Sequence, residues 1–363
     1  MKIIKNTVDH ELNTLEKSVF DNDTVFLDIE TLGFSSRIYP IYLIGCMAKT
    51  DDLIETTLFF SERPDDEEAM LSAFLEYLTS YKTIITFNGD TFDLPYIAER
   101  CSRHHMYAHL ELFRSMDLYK EVKKLKKVLS LPDLKLKTIE RFLGIYREDK
   151  YSGGELIDVY KDYATCPSEE KEKLLLLHNE EDVINMLPVL NILAYKSLTS
   201  ASLSDPSFEE EDPCHLLFSF QTDKTIPKEV RLKDENIYTI FSGYRLKGAL
   251  TVYQGSLKYY YMDYKNYVYL IDEDIIVPKA LSLSVPKESK RKAKKEECFS
   301  IKTGSFLPLP DIKKCPHPEI YEGAHSFRKD YCDKQFYILY EKNTVSENFL
   351  TLHIENLIIS LTC

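Results

Sequence analysis

Two acidic residues, Asp28 and Glu30, stand one residue apart in the stretch TVFLDIETLG, residues 24–33. The apolar run before them is typical of a β-strand, in which alternate side chains project to the same face. Two carboxylates on one face repel each other unless a positive charge, such as a metal ion, lies between them. Acids at the end of a strand are also common on protein surfaces. The pair alone therefore does not decide between a metal site and a solvated surface.

A second group of polar residues follows another predicted strand, in the stretch TIITFNGDTFDLPYI. Asn88, Phe92 and Asp93 fall in the predicted turn that leads from this strand into a helix. Taken by itself, Asp93 suits the N-cap position of that helix, because its carboxylate can accept free backbone N–H groups. Phe92 by itself suits a core residue that fixes the turn.

A histidine and an acid share one face of a predicted late helix. The stretch SEEKEKLLLLHNEEDVINMLPVL predicts a single long helix, with Ser168 as its N-cap and acids in its first turn. His178 and Asp182 are four residues apart and therefore lie one above the other. A histidine beside a leucine run is, on its own, more often a surface residue than a catalytic one.

The elements that position these residues change in character near residue 200. Apolar strands such as TVFLDI, IYLIGCMA and TIITF alternate with helical patterns before that point, which predicts a layered α/β domain. Later stretches are aromatic with a period of two, which predicts a hairpin turning at Asp263–Asn266 and further strands in QFYILYE and FLTLHIENLIIS. The predicted domains are 1–199, a polar linker at 200–213, and a smaller β-rich accessory domain at 214–363.

Composition limits the class of protein. Hydrophobic residues make up 44% of the 363 residues and charged residues 29%, which is typical of a folded, soluble chain. No apolar stretch has the length of a signal peptide core or a membrane span. Eight cysteines without a C-x-x-C pair predict reduced thiols and a cytoplasmic location. The net charge of −13 argues against a nucleic-acid contact over the whole surface and leaves room for a local basic groove.

Taken in order, the motifs D-x-E, N-G-x-x-F-D and H-x-x-x-D resemble those of the DEDD exonucleases of the ribonuclease H-like superfamily, the DnaQ-like proofreading class. A narrower resemblance, to the YprB-type ribonuclease H-like domain, rests on four stretches of the sequence: FLDIET, LKLKTIERFLGI, SGGELI and HNEEDVINML. The resemblance covers roughly residues 20 to 196. It implies a mixed central sheet with helices on both sides and a metal-dependent 3′→5′ exonuclease activity on DNA or RNA.

The resemblance also implies a set of ligands for two divalent ions, Mg²⁺ or Mn²⁺. Asp28, Glu30, Asp93 and Asp182 correspond to the metal ligands, and Glu30 also orients the nucleophile. Two such ions, about 3.5–4 Å apart, stabilise both the attacking and the leaving oxygen of a phosphodiester. Hard cations of this kind prefer carboxylate oxygens.

His178 departs from the family pattern. Relatives that use histidine as the general base usually have four residues between it and the last acid, whereas three separate His178 from Asp182. One residue rotates a helix position by about 100°, so the geometry of those relatives does not transfer directly. An imidazole is nevertheless well suited to accept a proton from water, and we expect His178 to act as base or to position the water.

Substrate contacts are expected from a lysine-rich stretch, LYKEVKKLKKVLSLPDLKLK, and from the strand–helix turn. Lys123, Lys124 and Lys127 are candidates for phosphate contacts, although a solvated helix face explains them equally well. Asn88 and Phe92 are candidates for contact with the terminal nucleotide of a single strand or a 3′ end.

Two alternative functions, and the role of the C-terminal domain, stay open at this point. A catalytically silent nucleic-acid binder would keep the fold, although it has no need for four acids that repel one another. An endonuclease would use the same metals on a different substrate. The C-terminal domain matches no catalytic motif and is a candidate for contact with a protein partner.

Overall fold

The computed structural model describes residues 1–50, 53–199, 203–342 and 344–362. The chain divides into two compact units, Met1–Lys196 and Ser197–Cys363. Among the described residues, no helix has the length and apolar character needed to cross a membrane. All seven cysteines in this part of the chain are free.

The first unit is built on one mixed six-stranded sheet. Its strands are β1 (Lys2–Val8), β2 (Thr24–Thr31), β3 (Ile41–Thr50), β4 (Leu53–Phe60), β5 (Thr83–Thr86) and β6 (Arg114–Asp117). Their order across the sheet is β1-β4-β3-β2-β5-β6. Strands β2, β5 and β6 are parallel to one another, and the other neighbouring pairs are antiparallel. The predicted mixed central sheet is confirmed.

Helices cover both faces of this sheet. They are α1 (Thr14–Val19), α2 (Glu67–Leu78), α3 (Asp93–Arg103), α4 (Leu118–Leu125), α5 (Leu136–Leu143), α6 (Gly153–Thr165) and α7 (Glu169–Val189). Leu27 packs with residues of α2 and α3 on one face. Leu43 packs with residues of α6 and α7 on the other. Helix α7 begins after Ser168, whose hydroxyl accepts the N–H of Lys171, so the predicted late helix and its cap are confirmed.

The described residues of the second unit are rich in strands, which form three separate sheets. The first contains β7 (Leu203–Asp212), β8 (His215–Lys233) and β9 (Ile237–Thr251). The second contains β10 (Tyr253–Tyr260), β14 (Phe299–Pro308), β15 (Ser326–Phe327) and β16 (Tyr337–Tyr340). The third contains β11 (Tyr267–Leu270), β12 (Ile275–Pro278) and β13 (Lys290–Lys292), and α8 (Glu347–Thr362) follows the last strand. The predicted β-rich C-terminal region is confirmed.

The segment predicted as a linker, 200–213, differs from the prediction over most of its length. Leu203–Asp212 forms β7, an edge strand that pairs with β8, while residues 200–202 lie outside the described part. Most of its side chains are exposed, and only Leu203 and Phe208 are half-buried. An edge strand can be this polar because its stability comes from backbone hydrogen bonds more than from side-chain burial.

The predicted hairpin turning at Asp263–Asn266 is wrong. Strand β10 pairs with β14, and β11 pairs with β12 and β13, so the two predicted arms belong to different sheets. An alternation of period two identifies a strand, but it does not identify the partner with which the strand pairs.

The stretch FLTLHIENLIIS, predicted as a strand, is instead part of α8. Its buried residues include Leu350, Ile354 and Leu357, which follow helical spacing. Short apolar runs are compatible with both periods, and here burial on one side of a helix decides between them.

Candidate active site

Asp28 and Glu30 lie on the sheet face that α6 and α7 cover, because they alternate with the residues of β2 that pack against α2 and α3. Gly45 lies opposite Asp28 in the register of β2 and β3. A Cβ atom at Gly45 would lie 2.1 Å from Asn179 Oδ1, so the close approach of this side chain requires glycine. The Asn179 amide donates to Asp28 Oδ2 at 2.7 Å and thereby links α7 to the paired acids.

Asp93 joins these acids from the start of α3. Phe92 occupies the N-cap position and Asp93 is the first helical residue, so the alternative in which Asp93 caps the helix is wrong. Asp93 Oδ1 instead accepts the backbone N–H of Ile29 at 3.1 Å. Because Ile29 lies between Asp28 and Glu30, this bond brings a third carboxylate to the pair.

His178 and Asp182 reach the same place from α7. His178 Nε2 lies 3.4 Å from Glu30 Oε1 and 3.5 Å from Asp182 Oδ2. One ligand atom from each of these three residues lies within 4.8 Å of the other two, a spacing that can hold a metal ion. The chain thus gathers the four acids and the histidine to which sequence analysis assigned metal binding and catalysis, and the roles themselves stay predictions.

The negative charges of the buried acids are not fully compensated by neighbouring cations. Burial raises the pKa of Asp28 and Glu30 well above the usual range, and the charges of Asp182 and Asp93 raise it further. Burial also raises the pKa of Asp93 to about 7. A cluster of carboxylate oxygens in need of a cation suits hard ions such as Mg²⁺ and Mn²⁺, so these residues fit the metals that the family resemblance implies.

Arg147, which lies between α5 and α6, supplies part of the missing charge. Its guanidinium hydrogen-bonds to Asp182, and it lies 3.3 Å from Glu140 Oε1 and 3.4 Å from Glu181 Oε2. The Arg147 side chain is only 8% exposed. Burial raises the pKa of Asp182, and the charges of His178 and Arg147 oppose that rise.

We expect Arg147→Ala to lower the free energy of unfolding of the metal-free protein by about 3 kcal/mol, because the change leaves buried carboxylates without their cation. Added Mn²⁺ should reduce this loss, since it supplies positive charge at Asp182. Chemical denaturation with and without Mn²⁺ measures both effects. Arg141→Ala, at an exposed arginine of α5, is the matched control. Equal stability of Arg147→Ala and the parent would contradict the expected role.

The loop between α5 and α6 also carries an acid that contacts the histidine. Asp149 Oδ2 lies 2.7 Å from His178 Nδ1. Sequence analysis missed Asp149 and Arg147, because a loop has no periodicity that would relate its residues to the strand acids. Asn179 was also missed, although its position three residues before Asp182 on α7 indicates that the two side chains lie on the same face of the helix.

The two residues of the strand–helix turn proposed to touch substrate have clear structural contacts. Asn88 adopts a positive φ of 70°, and its backbone N–H donates to Asp117 Oδ1 at 2.8 Å. Its side-chain oxygen accepts from the hydroxyl of Thr91 at 2.8 Å. Phe92 is half-buried and packs 5.3 Å, ring to ring, from Tyr96. Both residues shape the turn, and their contact with substrate stays a prediction.

The lysine-rich stretch divides into two groups. Lys123, Lys124 and Lys127 are exposed on or just after α4, and Lys124 pairs with Glu121 at 3.0 Å. Lys137 instead turns toward the candidate site, where its Nζ lies 2.9 Å from Asp149 Oδ2. The exposed group stays a candidate for phosphate contacts.

Comparison with known families supports the architecture of the first unit. Residues 25–194 match the family model RNase_H_2 of the RNase H superfamily. This range contains all four acids, His178 and the loop that carries Asp149. Together with the mixed six-stranded sheet flanked by helices, the match identifies the fold as ribonuclease H-like.

Several solved structures are similar to this chain at low identity. The family B DNA polymerase of the hyperthermophilic archaeon Pyrobaculum calidifontis is 15% identical over 67% of this chain and 35% of its own, with a TM-score of 0.39. The zinc-bound complex of E. coli exonuclease I with single-stranded DNA is 13% identical over 54% of this chain and 53% of its own, with a TM-score of 0.29.

The complex of E. coli exonuclease I with a dT13 oligonucleotide is 13% identical over 60% of this chain and 54% of its own, with a TM-score of 0.31. This chain therefore spans about a third of the polymerase and about half of exonuclease I. No curated protein matches the sequence.

Proposed function

We propose that this chain is a metal-dependent nuclease that hydrolyses DNA or RNA from the 3′ end, of the YprB type that its motifs resemble. The observation that carries the proposal is the convergence of four acids from three elements, β2, α3 and α7, beside one histidine. Buried carboxylates at such proximity destabilise a folded chain unless a cation compensates them, so the arrangement is suited to a metal site.

Asp28, Glu30, Asp93 and Asp182 are the proposed ligands of two divalent ions. Mg²⁺ or Mn²⁺ held by these residues would supply positive charge that stabilises the hydrolysis of a phosphodiester. Asn179 holds Asp28 in position through its amide hydrogen bond. The backbone N–H of Ile29 does the same for Asp93, so that both carboxylates are oriented before substrate arrives.

His178 and Glu30 are the proposed groups that handle the nucleophile. The Nε2 atom of His178 is the ring nitrogen closer to Glu30 and Asp182, and it is the atom that would accept a proton from the attacking water. Glu30 would orient that water through its second oxygen. Both side chains are largely buried.

The exposed lysines of α4 and the turn at Asn88 and Phe92 are the proposed substrate contacts. Lys123, Lys124 and Lys127 would bind backbone phosphates, which requires no base specificity and explains how an acidic chain can hold an anionic polymer. Phe92 would lie beside the terminal nucleotide, because it directly precedes the ligand Asp93.

A catalytically silent nucleic-acid binder is the second candidate. Arg147 supports it, because its guanidinium already provides a positive charge at Asp182. A binder of this kind would keep the fold stable without any metal ion and would release no nucleotides.

A panel of end-labelled single- and double-stranded DNA and RNA oligomers, incubated with Mg²⁺, Mn²⁺ or EDTA, tests the proposal. We expect stepwise shortening from the 3′ end with either metal ion and none with EDTA. Binding without shortening would favour the silent binder. Cleavage of a circular single strand would show an endonuclease instead.

We also propose that residues 1–199 form the nuclease domain and fold without the accessory domain at 214–363. The first unit has its own apolar clusters on both sheet faces, and we expect the fragment 1–199 to unfold cooperatively and to bind Mn²⁺. A fragment that ends at residue 180, and so loses Asp182 and the end of α7, is the control and should not fold. Thermal melting by circular dichroism and calorimetric Mn²⁺ titration measure both. A molten 1–199 fragment would contradict the boundary.

A further inference from the structure

We propose that Asp149 is a positioning residue for His178, and that its carboxylate sets both the orientation and the tautomer of the imidazole. This inference rests on the proposed function, in which His178 Nε2 accepts a proton. Asp149 lies in the loop between α5 and α6, far in sequence from the strand acids, and no motif of the resemblance includes it.

The contact between the two side chains is short and shielded from solvent. Asp149 Oδ2 lies 2.7 Å from His178 Nδ1, and the side chains are 2% and 6% exposed. The same carboxylate receives further contacts, one of them from Arg147, whose Nε lies 3.8 Å from Oδ2. The Nζ atom of Lys137 lies 2.9 Å from Oδ2, and the backbone N–H of Tyr151 donates to Oδ1 at 3.0 Å. Both oxygens are therefore held in place.

The backbone of the loop is attached to the helix that carries the histidine. The carboxylate of Glu181 on α7 accepts the N–H of Glu148 at 2.8 Å and that of Asp149 at 2.9 Å. Lys137 also hydrogen-bonds to the carbonyl of Tyr151. These bonds fix the position of Asp149 relative to His178, which is the geometry that a positioning residue needs.

An ionised carboxylate accepts hydrogen bonds and cannot donate one. Burial opposes ionisation of Asp149, but the hydrogen bonds from Lys137 and from the backbone N–H of Tyr151, followed by the contact with His178, lower its pKa below the usual range. His178 Nδ1 must then carry the hydrogen that it shares with Asp149. In a neutral ring this leaves the lone pair on Nε2, the nitrogen that faces Glu30 and Asp182.

Asp149→Ala in the full-length protein is expected to lower kcat by about 10–100-fold, the usual effect of removing a residue that orients a functional histidine. KM and the Mn²⁺ dissociation constant should stay within about twofold, since Asp149 is not among the proposed ligands. Asp149→Asn should recover part of the activity, because its amide oxygen can accept the same hydrogen bond. Asp158→Ala, at an exposed acid of α6, is the matched control and should behave as the parent does.

A double-mutant cycle separates positioning from a general structural effect. If Asp149 acts through His178, Asp149→Ala should cause no further loss of activity in a His178→Ala protein. Two independent losses that multiply would overturn the proposal.

The tautomer itself is measured by ¹⁵N NMR of histidine-labelled protein, at a pH above which the His178 ring signals no longer change with pH. The His178 signals are identified by their loss in His178→Ala. The parent should show a protonated Nδ1 and an unprotonated Nε2, and Asp149→Ala should shift toward a mixture of tautomers. Unchanged ¹⁵N signals in Asp149→Ala would overturn the proposal.

These measurements separate a failure of the Asp149 proposal from a failure of the nuclease proposal. If the parent cleaves and Asp149→Ala cleaves equally well, the role of Asp149 is wrong and the nuclease proposal stands. If the parent cleaves no substrate but the ¹⁵N signals change as expected, the nuclease proposal fails while the positioning of His178 by Asp149 is upheld.

Discussion

Asp28→Asn is expected to reduce cleavage by at least about 10³-fold, because it weakens the proposed metal site, and metal ions at such a site contribute several kcal/mol of charge stabilisation to the transition state. The change alters almost no volume. The asparagine oxygen can still accept the hydrogen bond that Asn179 donates to Asp28 in the parent. The loss of activity should therefore come without a loss of the fold.

The stability of this variant provides a second, independent expectation. Burial and neighbouring acids raise the pKa of Asp28, so its charge is unfavourable in the metal-free protein. Removing that charge should leave the melting temperature unchanged or raise it, whereas Mn²⁺ should stabilise the variant less than the parent. Asp158→Asn, at an exposed acid, is the control.

Cleavage assays with labelled oligomers and melting curves with and without Mn²⁺ test these expectations together. Undiminished cleavage by Asp28→Asn, or cleavage by the parent in EDTA, would rule out the two-metal mechanism. A variant that unfolds without metal would mean that Asp28 has a structural role that its contacts do not indicate.

His178→Ala is expected to slow cleavage by about 10²–10⁴-fold at neutral pH, the usual contribution of a general base. The three-residue spacing to Asp182 differs from that of relatives with a catalytic histidine, yet Nε2 lies 3.5 Å from Asp182 Oδ2 and 3.4 Å from Glu30 Oε1. The imidazole is thus near the proposed position of the nucleophile despite the altered spacing.

The control for this substitution is His215→Ala, at a half-exposed position in the second unit. Rates under single-turnover conditions report the chemical step, and calorimetric titration reports Mn²⁺ binding. We expect the rate to fall while the Mn²⁺ affinity changes little, since all four acids remain. A His178→Ala rate within twofold of the parent would remove this residue from the mechanism.

The sequence by itself was sufficient to place the candidate ligands on their elements. Asp28 and Glu30 project to one face because side chains in a strand alternate with a period of two. His178 and Asp182 share a face of α7 because residues four apart on a helix are neighbours. These are local rules, and the order of strands and helices along the chain was enough to apply them in the first unit.

Only the tertiary structure decided which groups surround those residues. Asp149 and Arg147 lie in a loop. Its path depends on long-range contacts, such as the hydrogen bonds from two loop N–H groups to the Glu181 carboxylate. The spacing of residues in the sequence does not reveal such contacts. Lys137 is the last residue of the lysine-rich stretch from which phosphate contacts were expected, but its Nζ contacts Asp149.

The second unit shows the same division between local and long-range information. The period of two correctly indicated strands such as β10 and β11, but their partners come from distant parts of the chain. Leu203–Asp212 forms a strand despite its polar composition, because its backbone pairs with β8 on both sides of a register shift at Pro206, and polar side chains do not prevent such pairing. The spacing of residues along the sequence thus determined which side chains share a face of a strand or helix. Burial and long-range hydrogen bonds determined which other elements those faces contact.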